Sequence, residues 1–379
     1  MGIDMQTKTE LRNVVSKQKH FFSREEAGAL LIFIVERPAP SGQPPCRSIM
    51  QRVNEFVADN PGRLPQEDDI DTMMSEVVSE FRLYWRWRSA RVPDDALPVI
   101  PVHFDIGIQT AVMTGLEPAF LSGCWWLEPN LAWDAIESLE FDPHNRWLEV
   151  FVHINRALWR TWDEDYFFLP FLHRSPLDAA NGIRGTPLFE EMITAPERVK
   201  RLVEWCVDCE LAIERYLYER VERPEGWGVG HMSVWLPEGA VWVNGDPVTM
   251  ISRDFMKEFE QPYTGRLFTS RGGGFFHNHT KGLFQVDQVA QTPGIILQHF
   301  NADPNCPRFS EVLSEDPVRR ETILQASQET PIYVDNVSVP ELEAFLPYLP
   351  HGRFLLEVIC DPDETDSLLA VLKGTSRMA

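Results

Sequence analysis

The feature that most constrains this chain is the texture that begins at Leu97. From there, short apolar runs alternate with amphipathic stretches of helical period through to the C-terminus. Such alternation predicts repeated strand–helix units, because a helix that crosses back over a sheet starts the next strand parallel to the last. The predicted strands are Leu97–Phe104, Tyr166–Leu172, Met232–Leu236, Gly274–His277, Gly294–Phe300, Ile332–Val334 and Arg353–Ile359. The predicted helices include Pro196–Arg220, Arg253–Phe268, Leu283–Val289, Asp316–Gln328, Val339–Tyr348 and Asp363–Leu372. Seven or eight strands over about 280 residues suit an α/β fold of the (β/α)8 TIM barrel type, placed here at residues 93–379. A doubly wound open sheet is the competing reading, and no GxGxxG follows the first strand.

Residues 1–92 read as a helical N-terminal extension. Ser23-Arg24-Glu25-Glu26 has the form of a capping box, and the apolar run Ala27 to Val35 after it predicts a helix. That helix should stop before Arg37 to Pro45, where four prolines remove backbone donors and impose extended geometry. A second helix is predicted from Asp69 to Arg88, ending in an aromatic cluster that reads as a packing edge.

The net charge of −22 repels phosphate backbones and anionic lipid, so nucleic acid and membrane surfaces are not expected partners. No run approaches about 18 consecutive apolar residues and no leader pattern opens the chain, which reads as a cytoplasmic protein. Six cysteines in 379 residues do not make a disulfide framework. The Cys206-Val207-Asp208-Cys209 spacing lies within a helical stretch and reads as ordinary helix.

In α/β barrels the chemistry gathers at the C-terminal ends of strands. Here those ends carry Asp105, His173, Arg174, His277, His279, His299, Asn301, Asp303, Asp335, Asn336, Glu357, Cys360 and Asp361. The sharpest feature is Gly272-Gly273-Gly274-Phe275-Phe276-His277-Asn278-His279: residues two apart on a strand share a face, so His277 and His279 can address one ion. Cys360 or Glu357 would supply a third ligand, and zinc accepts either. The bland alternative is one structural histidine and one that solvates a loop. Asp105 reads as a proton donor or acceptor in the cleft, or as a helix N-cap. Asp246, in Asn244-Gly245-Asp246-Pro247, reads as a turn residue that could also face the site. Arg184 reads as a carboxylate clamp or a surface pair, and Trp125, Trp126 and Trp133 as an aromatic pocket or core. No GxSxG, GxxxxGK[ST] or HExxH occurs.

The order of segments Gly185-Thr186-Pro187-Leu188-Phe189-Glu190-Glu191-Met192, Ala195-Pro196-Glu197-Arg198-Val199, Asp246 to Ser252, Gln261-Pro262-Tyr263, the glycine-rich strand and Thr292-Pro293-Gly294 resembles the uroporphyrinogen decarboxylase superfamily. That group includes cobalamin-linked methyltransferases, and Cys124-Trp125-Trp126, Trp133 and Asp142 to Trp147 look like an uncharacterised branch of it. The resemblance spans roughly residues 95–375 and implies an eight-stranded barrel. It places Asp105 near the decarboxylases' catalytic aspartate, and the leading reading takes Asp105 and Asp246 as catalytic groups in the cleft and Arg184, Trp126 and Tyr263 as substrate contacts. The methyltransferase branch holds zinc with a His-x-Cys pair and a distant Cys. Here His277-Asn278-His279 stands in place of the pair, and Cys360 lies in the region of the distant ligand. The expected reaction is metal-dependent methyl transfer from a methylated corrinoid, carried by a separate corrinoid protein, to a small-molecule thiol or similar acceptor. The alternatives are a metal-free decarboxylase of a tetrapyrrole or other acid, and a non-catalytic binding barrel. The proline-rich Arg37 to Pro45 lacks the arginines an octa-acid substrate would need. A homodimer is left open.

Overall fold

The computed structural model describes residues 5–23, 27–102, 105–128, 130–224 and 226–375. Seven strands form one parallel sheet in the order β1-β11-β10-β9-β8-β7-β4. They are β1 (Leu30–Glu36), β4 (His173–Arg174), β7 (Val241–Asn244), β8 (Gly274–His279), β9 (Ile295–Asn301), β10 (Ile332–Ser338) and β11 (Phe354–Cys360). Two antiparallel hairpins lie outside it, β2 (Ala119–Leu121) with β3 (Cys124–Trp126), and β5 (Val229–His231) with β6 (Val234–Leu236). The parallel α/β architecture read from the sequence is present. The strands are largely buried on both sides, as helices cover one face and other side chains fill the other.

Alternate residues separate the two faces. Ile32, Ile34, Phe300, Ile332, Val334, Phe354, Leu356, Val358 and Cys360 pack against helices Phe309–Glu315, Pro317–Glu329 and Val339–Phe345. The opposite face carries Phe33, Phe275, His299 and Tyr333, whose rings meet one another at centroid distances of 4.7–6.2 Å.

Several expectations change. The run Ala27 to Val35 is not a helix: Leu30–Glu36 is strand β1, paired in parallel register with β11. A continuous apolar run satisfies a strand buried on both faces as well as a buried helix, and only the partner strand decides between them. Of the proposed cap, Arg24 to Glu26 lie outside the described residues. Met232–Leu236 does not join the main sheet. Met232 and Ser233 take φ of 49° and 62°, turning the chain into the β5–β6 hairpin, and the sheet strand of this region is β7. Tyr166–Leu172 is extended, but its ladder forms only at His173–Arg174. Helix Pro196–Arg220 has the predicted bounds, whereas Arg253–Thr269 is interrupted by a π turn at Met256–Glu260.

The segment after Asp94 is hydrogen-bonded on both sides. Asp95 N donates to Ile32 O at 3.1 Å, Phe167 N to Pro98 O at 2.7 Å and Ile100 N to Phe167 O at 2.9 Å, with Val99 bridged in parallel to Phe167. Of the predicted Leu97–Phe104 strand, His103 and Phe104 lie outside the described residues. No helix among the described residues is long and apolar enough to cross a membrane.

Candidate metal centre

The parallel register places the C-terminal ends of β7, β8, β9 and β10 side by side. Asn244 pairs with His277, His277 with His299, and His299 with Tyr333. His277 and His279 point to the same face, as the spacing predicts, because Asn278 between them faces the other way and is buried. Asp246 reaches them from the turn after β7. That turn is held by the Gly245 N–H, which donates to His277 O at 3.0 Å; a Cβ on Gly245 would overlap the Phe276 ring.

Ligand atoms of Asp246, His277 and His279 all lie within 4.8 Å of one another. His279 Nε2 is 3.1 Å from Asp246 Oδ1, and its Nδ1 is 3.0 Å from Asp303 Oδ1. His277 Nδ1 is 2.7 Å from His299 Nδ1, and His299 Nε2 is 3.3 Å from Asp335 Oδ2. Beneath Asp246, Asn244 Nδ2 donates to Asp178 Oδ2 at 3.2 Å, and Asp178 takes a bidentate pair from the buried Arg174.

Burial, with His299 and His279 nearby, pushes His277 down to about 3, so this ring is neutral, the form that ligates metal. Burial alone would raise the Asp246 carboxyl, but hydrogen bonds from His279 and Asn244 outweigh it and hold the group below its ordinary value. The bond to Asp246 raises His279. Two neutral-capable imidazoles and one carboxylate are a zinc-type donor set. The 3.1 Å between His279 Nε2 and Asp246 Oδ1 is near the ~3.3 Å that two ligands at about 2.0–2.1 Å take on a tetrahedral ion. The residues present therefore fit a small divalent cation.

The other sequence candidates fall elsewhere. Cys360 is buried on the helix-facing side, with Sγ 3.6 Å from Thr365 Oγ1, and burial raises its thiol. It sits three residues from Glu357 on one strand, and residues an odd number apart face opposite ways. Glu357 faces the same side as the histidines but lies outside the three-ligand group, accepting from Tyr333 OH at 3.2 Å; burial raises it. Asp105 occupies the N-cap position of helix Ile106–Thr114, and its Oδ2 accepts from Trp125 N at 2.8 Å, tying down the β2–β3 hairpin. Arg184 forms a bidentate pair with Glu191 at 2.9 and 2.7 Å over the Trp133 ring. Trp125 is buried against Trp147, whereas Trp126 is 59% exposed. Tyr263 is half-buried on helix Gln261–Thr269, in the field of Glu204 and Lys200. The structure thus brings Asp246 to the histidine pair and leaves the remaining candidates apart. His299, Asp303 and Asp335 stood out in the sequence only as polar strand ends; register is what turns them toward the pair.

No family model and no curated protein matches this chain. Among solved structures, its fold is similar to that of a methyltransferase from Methanosarcina mazei, with a TM-score of 0.50 and 10% sequence identity, covering 87% of this chain and 94% of that one. At that identity the likeness speaks to the fold.

Proposed function

We propose that this chain is a metal-dependent methyltransferase-like enzyme of the uroporphyrinogen decarboxylase superfamily, built on a (β/α)8 barrel. The observation that carries the reading is the convergence of Asp246, His277 and His279 at neighbouring strand ends on the face turned away from the helices. What supports the barrel reading is the Asp95–Ile100 segment, which hydrogen-bonds to Ile32 on one side and to Phe167 on the other, where an eighth stave between β1 and the strand ending in β4 would stand. The likeness to the Methanosarcina mazei enzyme supports the same architecture.

In this reading Asp246, His277 and His279 hold zinc, and Asn244 orients Asp246 through its link to Asp178. Zinc bound there supplies Lewis acidity that keeps an acceptor thiol as its thiolate. Trp242 packs against His277 and Tyr333 against His299, shielding those two rings and strengthening the polar contacts they make. The methyl donor is a methylated corrinoid presented by a partner protein.

The test is metal content by mass spectrometry on protein purified without chelator, beside a His277→Ala, His279→Ala double variant. About one zinc per chain, lost in the double variant, is the expected result. Methylcobalamin consumption with a panel of thiols then tests the reaction. Absence of metal from the wild type refutes the reading.

A further inference from the structure

We infer that the sheet face beside the metal group receives the cationic end of the acceptor: Asp335, with Glu357 behind it, binds a primary ammonium group, so the methyl acceptor is an aminothiol on a short carbon chain. The inference rests on the metal-dependent methyltransferase reading above and names the substrate class that its site selects.

The observation that carries it is a pair of buried polar atoms with nothing to bond. His299 is 1% and Asp335 6% exposed, yet His299 Nε2 and Asp335 Oδ1 have no hydrogen-bond partner. Asp335 Oδ2 lies 3.3 Å from His299 Nε2, an ion-pair distance without the geometry of a hydrogen bond. Buried polar atoms are rarely left unpaired, because each forfeits its bonds to water on folding, and a ligand that completes them recovers that loss. A carboxylate can only accept, so the group that completes Asp335 Oδ1 is a donor. A cavity of about 10 Å³ between Asp335, Arg308 and Glu341 has room for a single water, and His299 is not in its wall.

Charge makes that donor a cation. Glu357 lies on the same face, where it accepts from Tyr333 OH at 3.2 Å. With Asp246 and Asp303 beside His279, four carboxylates share this end of the sheet, and a divalent ion offsets two of them. Arg308 stands nearby but is spent on Glu341 Oε1 and Asn336 O, each at 2.6 Å, and the exposed Arg37 donates to Asn336 Oδ1 at 3.2 Å. A neutral hydroxyl on Asp335 would supply the hydrogen bond and leave the buried charge uncompensated, whereas an ammonium group supplies both.

Register sets the reach. His277, His299 and Tyr333 stand level on β8, β9 and β10, so Asp335 is about two strand spacings, roughly 10 Å of backbone, from the ligand strand. A slip in the β10 ladder between Val334 and Val337 leaves Asp335 out of pairing with β11. Side chains from both strands take up part of that distance, which leaves about two to four carbons between the thiol and the nitrogen.

The test is calorimetric titration of the full-length protein, as purified and after removal of metal by chelator. The probes are cysteamine and its three- and four-carbon homologues, with the hydroxythiols and mercaptocarboxylates of matching length. The best aminothiol should bind at least about 10-fold more tightly than its hydroxythiol and mercaptocarboxylate counterparts. Asp335→Asn, which keeps the shape of the side chain, should bring the aminothiol within about threefold of the hydroxythiol. Wild-type hydroxythiol affinity in that variant reports that the site is intact. A hydroxythiol or mercaptocarboxylate that binds wild type as tightly as the aminothiol, or a preference unchanged in Asp335→Asn, overturns the inference. Butylammonium, set against butanol and butyrate on the metal-free protein, separates this outcome from the fate of the metal reading. Preference for butylammonium in a protein that never holds zinc supports the ammonium site and refutes the metal; zinc-dependent thiol binding without a charge preference does the reverse.

Discussion

His173 offers a quantitative test of how the sheet is tied to its helices. Its ring is fully buried on the helix-facing side of β4, with Nδ1 hydrogen-bonded to Glu210 and Nε2 2.8 Å from Glu214 Oε1, both on helix Pro196–Arg220. Burial alone would lower this histidine, but the two carboxylates outweigh it and raise the ring to about 9. The fold thus favours protonated His173. The stability it confers is full below the ordinary value of 6.5, declines as pH rises and is gone above about 9. The difference between those values corresponds to about 3 kcal/mol. His173→Gln removes the titrating group while keeping a polar side chain. Urea unfolding followed by tryptophan fluorescence should find the variant less stable at about pH 7, with the gap to wild type closing by about 2–3 kcal/mol by about pH 9.5. A gap of the same size at both values would refute the assignment of a charged His173 between two buried carboxylates.

Glu260 shifts stability with pH in the same direction, but here the charged form is the one the fold disfavours. Burial raises its carboxyl to about 7, although Ser175 and Thr264 both donate to it, so the fold loses stability as pH climbs from the ordinary value toward 7. Glu260→Gln should be more stable than wild type at about pH 8, by up to about 3 kcal/mol, with the advantage fading near pH 4.5; thermal melts across that range check it. Cys360→Ser should leave zinc content at the wild-type value by mass spectrometry, because this thiol packs against Thr365 on the helix side. Loss of zinc in that variant would contradict the three-ligand site.

The sequence alone determined a good deal here. The alternation after Leu97 carried the parallel α/β architecture, since both periods are local properties of the chain. The His277–His279 pair was legible because a strand sends residues two apart to one face, and the Asn244 to Pro247 turn was legible from its composition. The structure placed Cys360 on the helix side of β11 and Glu357 on the histidine side, a division the sequence reading of both as candidate ligands had not drawn. What only the tertiary structure decided is everything that depends on a neighbour far away in the chain. Leu30–Glu36 became a strand because β11 offered an open edge, against a local pattern equally suited to a helix. Asp246, His299, Asp303 and Asp335 reached the histidine pair through the register of β7, β8, β9 and β10. Register is set by hydrogen bonds between strands and by the packing of side chains across them, and neither is written in the order of residues along any one strand.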